Sequence, residues 1–119
     1  MDMDWQAVKA VLREVLQEEA GMYRCEMARK WEGGSMALKP GDASLQGKEV
    51  PIEVFFKKIT SVREKLRVLE QKINNHPHLT YTDQAELQQY ISRAYGSLTT
   101  FNVLFRNEED RFVGQKESG

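Results

Sequence analysis

Two stretches of the chain carry a seven-residue apolar repeat, and this repeat constrains the fold more than any other feature. In the first, Ile52, Phe55, Ile59, Val62, Leu66, Leu69 and Ile73 follow one another at alternating spacings of three and four. In the second, Leu87, Ile91, Ala94, Leu98, Phe101 and Phe105 do the same, and Phe112 falls one full repeat later. Spacings that average 3.5 residues keep side chains on one stripe of an α-helix that faces a neighbouring helix. The expected fold class is therefore mainly α, built on an antiparallel, coiled-coil-like helical hairpin.

Local signals set the expected boundaries. Pro51 suits the first turn of a helix, where its missing N–H costs nothing. The helix is expected over residues 51–74, because the ring of Pro77 disfavours helical geometry at His76. Thr80, with Asp83 three residues later, resembles a capping box and opens a helix expected over 80–112. Gly96, Ser97, Thr99 and Thr100 are weak helix formers and mark where a kink would fall within it. Upstream, Asp4 suits an N-cap for a helix over 4–20, whose Trp5, Val8, Val11, Leu12, Val15 and Leu16 share a face and which Gly21 would close. Residues 22–50 lose the helical period. Tyr23, Cys25, Met27 and Trp31 alternate with polar neighbours as a half-buried strand does, Gly33-Gly34 suits a tight turn, and Ser35 to Lys39 reads as the return strand. The expectation is a small β-hairpin or an extended insertion over 22–50. Residues 113–119 read as a flexible polar tail. At 119 residues, the whole fits a single domain.

Composition excludes several classes. Charged residues are 29% and hydrophobic residues 40%, an ordinary globular mix, and the formal net charge of −1 gives no global attraction to nucleic acid or anionic lipid. The charge is segregated all the same: residues 22–78 sum to +4 against −5 for the flanks. A lone cysteine, Cys25, excludes an internal disulfide and a four-cysteine zinc site. The acidic start has no apolar h-region, and no apolar run approaches the ~20 residues of a membrane helix. A cytoplasmic location with no membrane contact is expected.

The chemistry-bearing residues offer two functional readings. Lys58, Lys65 and Lys72 recur every seven residues beside the first apolar row. They can cover the edge of the seam with their methylene stems, or form a ridge for phosphates or an acidic partner. Arg29, Lys30 and Trp31 add basic and aromatic groups of the kind that stack bases and neutralise phosphates, although Trp31 shares its phase with Cys25 and Met27 and can equally be core. His76 and His78 flank Pro77, but two histidines fall short of the three or four ligands zinc needs, so no metal is expected. No nucleophile has a base in evident reach, no glycine loop resembles a phosphate cradle, and neither enzymatic activity nor a cofactor is expected. The second row is richer in aromatics than one seam requires. Tyr90, Tyr95, Phe101, Leu104, Phe105 and Phe112 are the candidate interaction residues. The leading expectation is a non-enzymatic interaction or adaptor module that binds a protein partner or itself as a homodimer. The alternative is a nucleic-acid-binding regulator using Arg29, Lys30, Trp31, Lys58, Lys65 and Lys72.

Overall fold

The computed structural model describes residues 4–15 and 24–115. It is mainly helical, with α1 at Trp5–Val15, α2 at Ile52–Asn74 and α3 at Tyr81–Ser97, and a two-stranded antiparallel sheet of β1 (Ser35–Leu38) and β2 (Lys48–Pro51). Asp4 opens α1 as its sequence implies: Oδ1 accepts the amide protons of Gln6 at 3.0 Å and Ala7 at 3.3 Å. The expected continuation to residue 20, the closure at Gly21 and the placement of Tyr23 lie outside the described residues.

The strand pairing corrects the expected hairpin. Ser35–Leu38 is indeed a strand, but its partner is Lys48–Pro51, with Met36 opposite Val50, across a connection over residues 39–47. Gly33 does turn the chain, at φ 74°, yet it follows a 3-10 turn at Arg29–Trp31 rather than a strand. The alternating segment before it spends its backbone groups elsewhere. Ala28 N–H donates to the Leu104 carbonyl at 2.8 Å, and Arg106 N–H donates to the Glu26 carbonyl at 2.9 Å. The period of two correctly marked half-buried extended chain, but the partner lies some 80 residues downstream, where no turn signal could point.

Pro51 ends β2 and sits immediately before α2, its φ of −55° serving both. At the far end, Thr80 and Asp83 form the anticipated capping box: Thr80 Oγ1 accepts from Asp83 N at 3.1 Å, and Asp83 Oδ2 accepts from Thr80 N at 3.2 Å. Hydrogen bonds from α3 to α2 fix an antiparallel order. Gln84 Nε2 donates to the Asn74 carbonyl, whereas Gln88 Nε2 and Tyr95 Oη donate to Glu70 at 2.7 and 2.6 Å.

The helix expected over 80–112 stops at Ser97. Ser97 Oγ donates to the Arg93 carbonyl and Thr99 Oγ1 to the Gly96 carbonyl, each at 3.0 Å, so hydroxyls crowd the carbonyls of the last turn. The chain then tightens into a 3-10 helix at Thr99–Leu104, becomes extended at Phe105 (φ −84°, ψ 136°), and returns across α2 and α3. That return builds the core. Leu104, Phe105 and Phe112 pack with Ile52, Phe56 and Ile59, and Cys25, Met27, Trp31 and Met36 close the cluster. Phe105 meets Phe56 and Phe112 edge-on, at ring separations of 5.4 and 5.5 Å.

Polar clasps hold the return in place. Asn102 binds Phe112 in both directions, its Nδ2 donating to the Phe112 carbonyl at 2.9 Å and its Oδ1 accepting from Phe112 N at 2.6 Å. Buried Arg63 donates from Nε to the Asp110 carbonyl at 2.9 Å and stands 3.9 Å from the Asp110 carboxylate. Gly114 lies against α3 so closely that a Cβ there would collide with the Ser92 carbonyl and come within 2.7 Å of Gly96 N. Gln115 N donates to the Ser92 carbonyl at 3.0 Å. Residues 113–115 are therefore seated on α3 instead of trailing from it, which corrects the described part of the expected flexible tail.

Asn102→Ala removes both bonds to Phe112 and leaves its backbone groups half-buried and unpaired, an expected cost of about 1–3 kcal/mol. Urea denaturation should show a lower midpoint with an unchanged slope.

Candidate interaction surface

The hairpin has two flanks, and among the described residues the rest of the chain covers only one. Gln88 on α3 meets Glu70 on α2. Leu87 and Leu69, each one residue earlier, rotate to the same side, because antiparallel helices turn in opposite senses when viewed along a common axis. Val62 lies on that side two turns before Leu69. Ser92, Tyr95 and Gly96 lie on the other, where Gln115 bonds Ser92 and the Phe112 ring stands 6.1 Å from Tyr95.

Exposure follows this division. Ile52, Ile59, Ile73 and Ile91 of the apolar rows are buried, whereas Val62 is 44% exposed, Leu69 46% and Leu87 38%. Tyr90, one turn beyond Leu87, is 61% exposed. Lys58, Lys65 and Lys72 are exposed and border Val62 and Leu69 at spacings of three and four residues. Together these side chains form an apolar strip with a cationic rim. The lysine spacing was a visible sign of that rim. The bare strip was not, because a heptad row alone does not say which of its members the rest of the chain will cover.

The expected aromatic seam is redistributed. Leu104, Phe105 and Phe112 are buried in the chain's own core and present no surface, which corrects their place as interface residues; the return after Ser97 turns them inward. Phe101 is half-buried against Phe55, at 5.2 Å between rings. Tyr95 is half-buried on Glu70, and burial followed by that hydrogen bond pushes its phenol well above the usual range. Tyr90 alone of the six stays largely open. Among the basic candidates, Arg29 and Lys30 are exposed, but Trp31 is committed to the fold. Its Nε1–H donates to the Val103 carbonyl at 2.9 Å, and Lys30 Nζ lies 5.2 Å over its ring.

Two clefts indent the body. One, of about 340 Å³, opens on the covered flank and is lined by Glu14, Arg63, Arg67, Glu70, Tyr95 and Arg111, among others. Its charges are mixed in sign, and the Gln71 Oε1 beside it is buried without a partner among the described residues. The other, of about 670 Å³, lies against Cys25, Met27, Phe56 and Lys57. Burial pushes the Cys25 thiol up to about 11, the reverse of what activates a nucleophile. His76 and His78 stack edge-on at 5.8 Å, with His76 Nδ1 accepting from His78 N. Among the described residues, no group of three or more His, Cys, Asp and Glu is placed to hold a metal ion, and no helix is long and apolar enough to cross a membrane.

The family described as "Domain of unknown function (DUF8685)" matches residues 22–111. No curated protein and no solved structure matches the chain.

At pH 8, alkylation of Cys25 by iodoacetamide should run on the order of tenfold slower than that of a free cysteine, its scarce thiolate being partly offset by higher intrinsic nucleophilicity. The rate should keep rising towards pH 11, as followed by mass spectrometry. Tyr95 favours its protonated form in the fold, so its contribution is full below about pH 10 and is lost as pH climbs through the raised value. Tyr95→Phe should cost about 1–2 kcal/mol at neutral pH and flatten the decline of thermal stability above pH 10.

Proposed function

The chain belongs to that family of unknown function, and we propose that it serves as a helix-docking interaction module rather than an enzyme. The observation that carries this reading is the half-exposed apolar row Val62, Leu69, Leu87 and Tyr90 on a hairpin whose opposite flank is fully built. Two antiparallel helices leave a groove between them, and an amphipathic helix fills such a groove with residues spaced three and four apart. In this reading the incoming helix completes the heptad seam as coiled-coil packing. Lys58, Lys65 and Lys72 at its edge favour acidic side chains on the incoming helix and set its direction. A nucleic-acid role has less support: the indole of Trp31 is hydrogen-bonded into the fold, and Lys30 covers its ring.

A fluorescein-labelled synthetic peptide of three leucine heptads, with glutamates beside its apolar stripe, provides the test. Wild-type protein should bind it saturably in the micromolar range by fluorescence anisotropy. Leu69→Lys should weaken binding by about tenfold or more, since roughly half a leucine's burial is lost and a charge is set in the groove. Because Leu69 is already half-exposed, the variant should keep the wild-type helical signal in circular dichroism. Absence of binding at high micromolar protein, or equal binding by the variant, overturns the proposal.

A further inference from the structure

We propose that the helix occupying this groove is α1 of a second copy, exchanged in both directions so that two chains close as a twofold dimer. The inference rests on the reading of Val62, Leu69 and Leu87 as a docking row and names the partner. Among the described residues, one chain carries two apolar faces without cover. The first is that row. The second is on α1, where Trp5 is 65% exposed, Val11 57% and Leu12 56%.

Three observations favour this pairing. A helix of 11 residues is marginal in water without a surface to pack on, so α1 needs one. Glu14, near its end, lines the cleft with Arg63, Arg67 and Arg111, on the flank that the C-terminal segment already covers. The chain's own α1 thus has its Glu14 end on the opposite flank from Val62 and Leu69, and those two stay half-exposed among the described residues. The protomer is also elongated. Its extents are 66 × 31 × 23 Å and its radius of gyration 17.9 Å, against about 13–14 Å for a compact domain of this length. An arm that packs on another copy gives that shape.

The pairing is apolar rather than electrostatic: Trp5–Val15 carries Lys9 and Arg13 beside Glu14, so it brings no acidic surplus to the rim of Lys58, Lys65 and Lys72. Exchange in both directions makes each chain donor and acceptor at once, so the contact is self-complementary and closes at two copies without leaving a groove open for a third.

The test is sedimentation equilibrium of the full chain over roughly 5–500 µM. A mass approaching twice 13.8 kDa is expected, rising with concentration. Trp5→Asp/Leu12→Asp on α1 and Leu69→Lys in the groove should each yield monomer with the helical signal retained, since none of these side chains is in the core. Mixed in equal amounts, the two variants should recover a weaker heterodimer, because one of the two exchanged contacts is intact between them. A strictly monomeric wild type overturns the exchange. So does a dimer that survives the α1 substitutions. If the exchange fails while the synthetic heptad peptide still binds and Leu69→Lys still weakens it, the groove reading stands and only the partner is wrong. If the peptide also fails, both fall together.

Discussion

Phe105, packed edge-on against both Phe56 and Phe112, is the contact on which the rest of the structure depends. It is 1% exposed, and it joins the N-terminal part of α2 to a segment that has left α3 and doubled back. A helical hairpin alone offers a seam but no enclosed interior. Phe105 and its neighbours Leu104 and Phe112 supply the third side, and the segment around Met27 closes over them through backbone bonds on either side of Phe105. The Asn102 clasp and the Arg63–Asp110 contact satisfy the polar groups that this return would otherwise bury unpaired.

From that arrangement follows the asymmetry of the hairpin. The returning segment lies on the flank of Ser92, Tyr95 and Gly96, and Gly114 fits there only because it has no Cβ. Backbone so close to backbone leaves no room for another element against Ser92 and Gly96. The opposite flank receives nothing from residues 24–115, and its valine and leucines remain half in water. Apolar residues scattered singly on a surface need no explanation, but a row continuing a buried heptad is a contiguous strip.

Much of this architecture was legible in residues 51–97. The spacing of Ile52, Ile59 and Ile73 fixed the buried face of α2, Thr80 with Asp83 fixed the start of α3, and Pro77 fixed the joint between them. The repeat misled beyond Ser97, because Phe101, Phe105 and Phe112 keep heptad intervals while the backbone there is 3-10 and extended. Spacing reports a helical face only while the chain stays helical, and the hydroxyls of Ser97 and Thr99 tipped that balance locally. Met27 and Trp31 were rightly suspected of facing inward, yet their partners, Phe105 and Val103, lie more than 70 residues away, beyond any local pattern. For the candidate surface, the lysine column marked the rim. The aromatic count pointed at Phe105 and Phe112, which the fold had already consumed.

The sequence separation between Met27 and Phe105 has a consequence for the order of folding. The α2–α3 hairpin joins residues close in sequence, whereas the contacts that seal it link Phe105 to Phe56 and to Met27 across about 50 to 80 residues, and the longer loops cost more entropy to close. The segment around Met27 must likewise wait for Leu104 and Arg106 before its amides and carbonyls are satisfied. The hairpin is therefore expected to form ahead of the sealed core, and in that interval its apolar flanks are open to chaperones and to other chains.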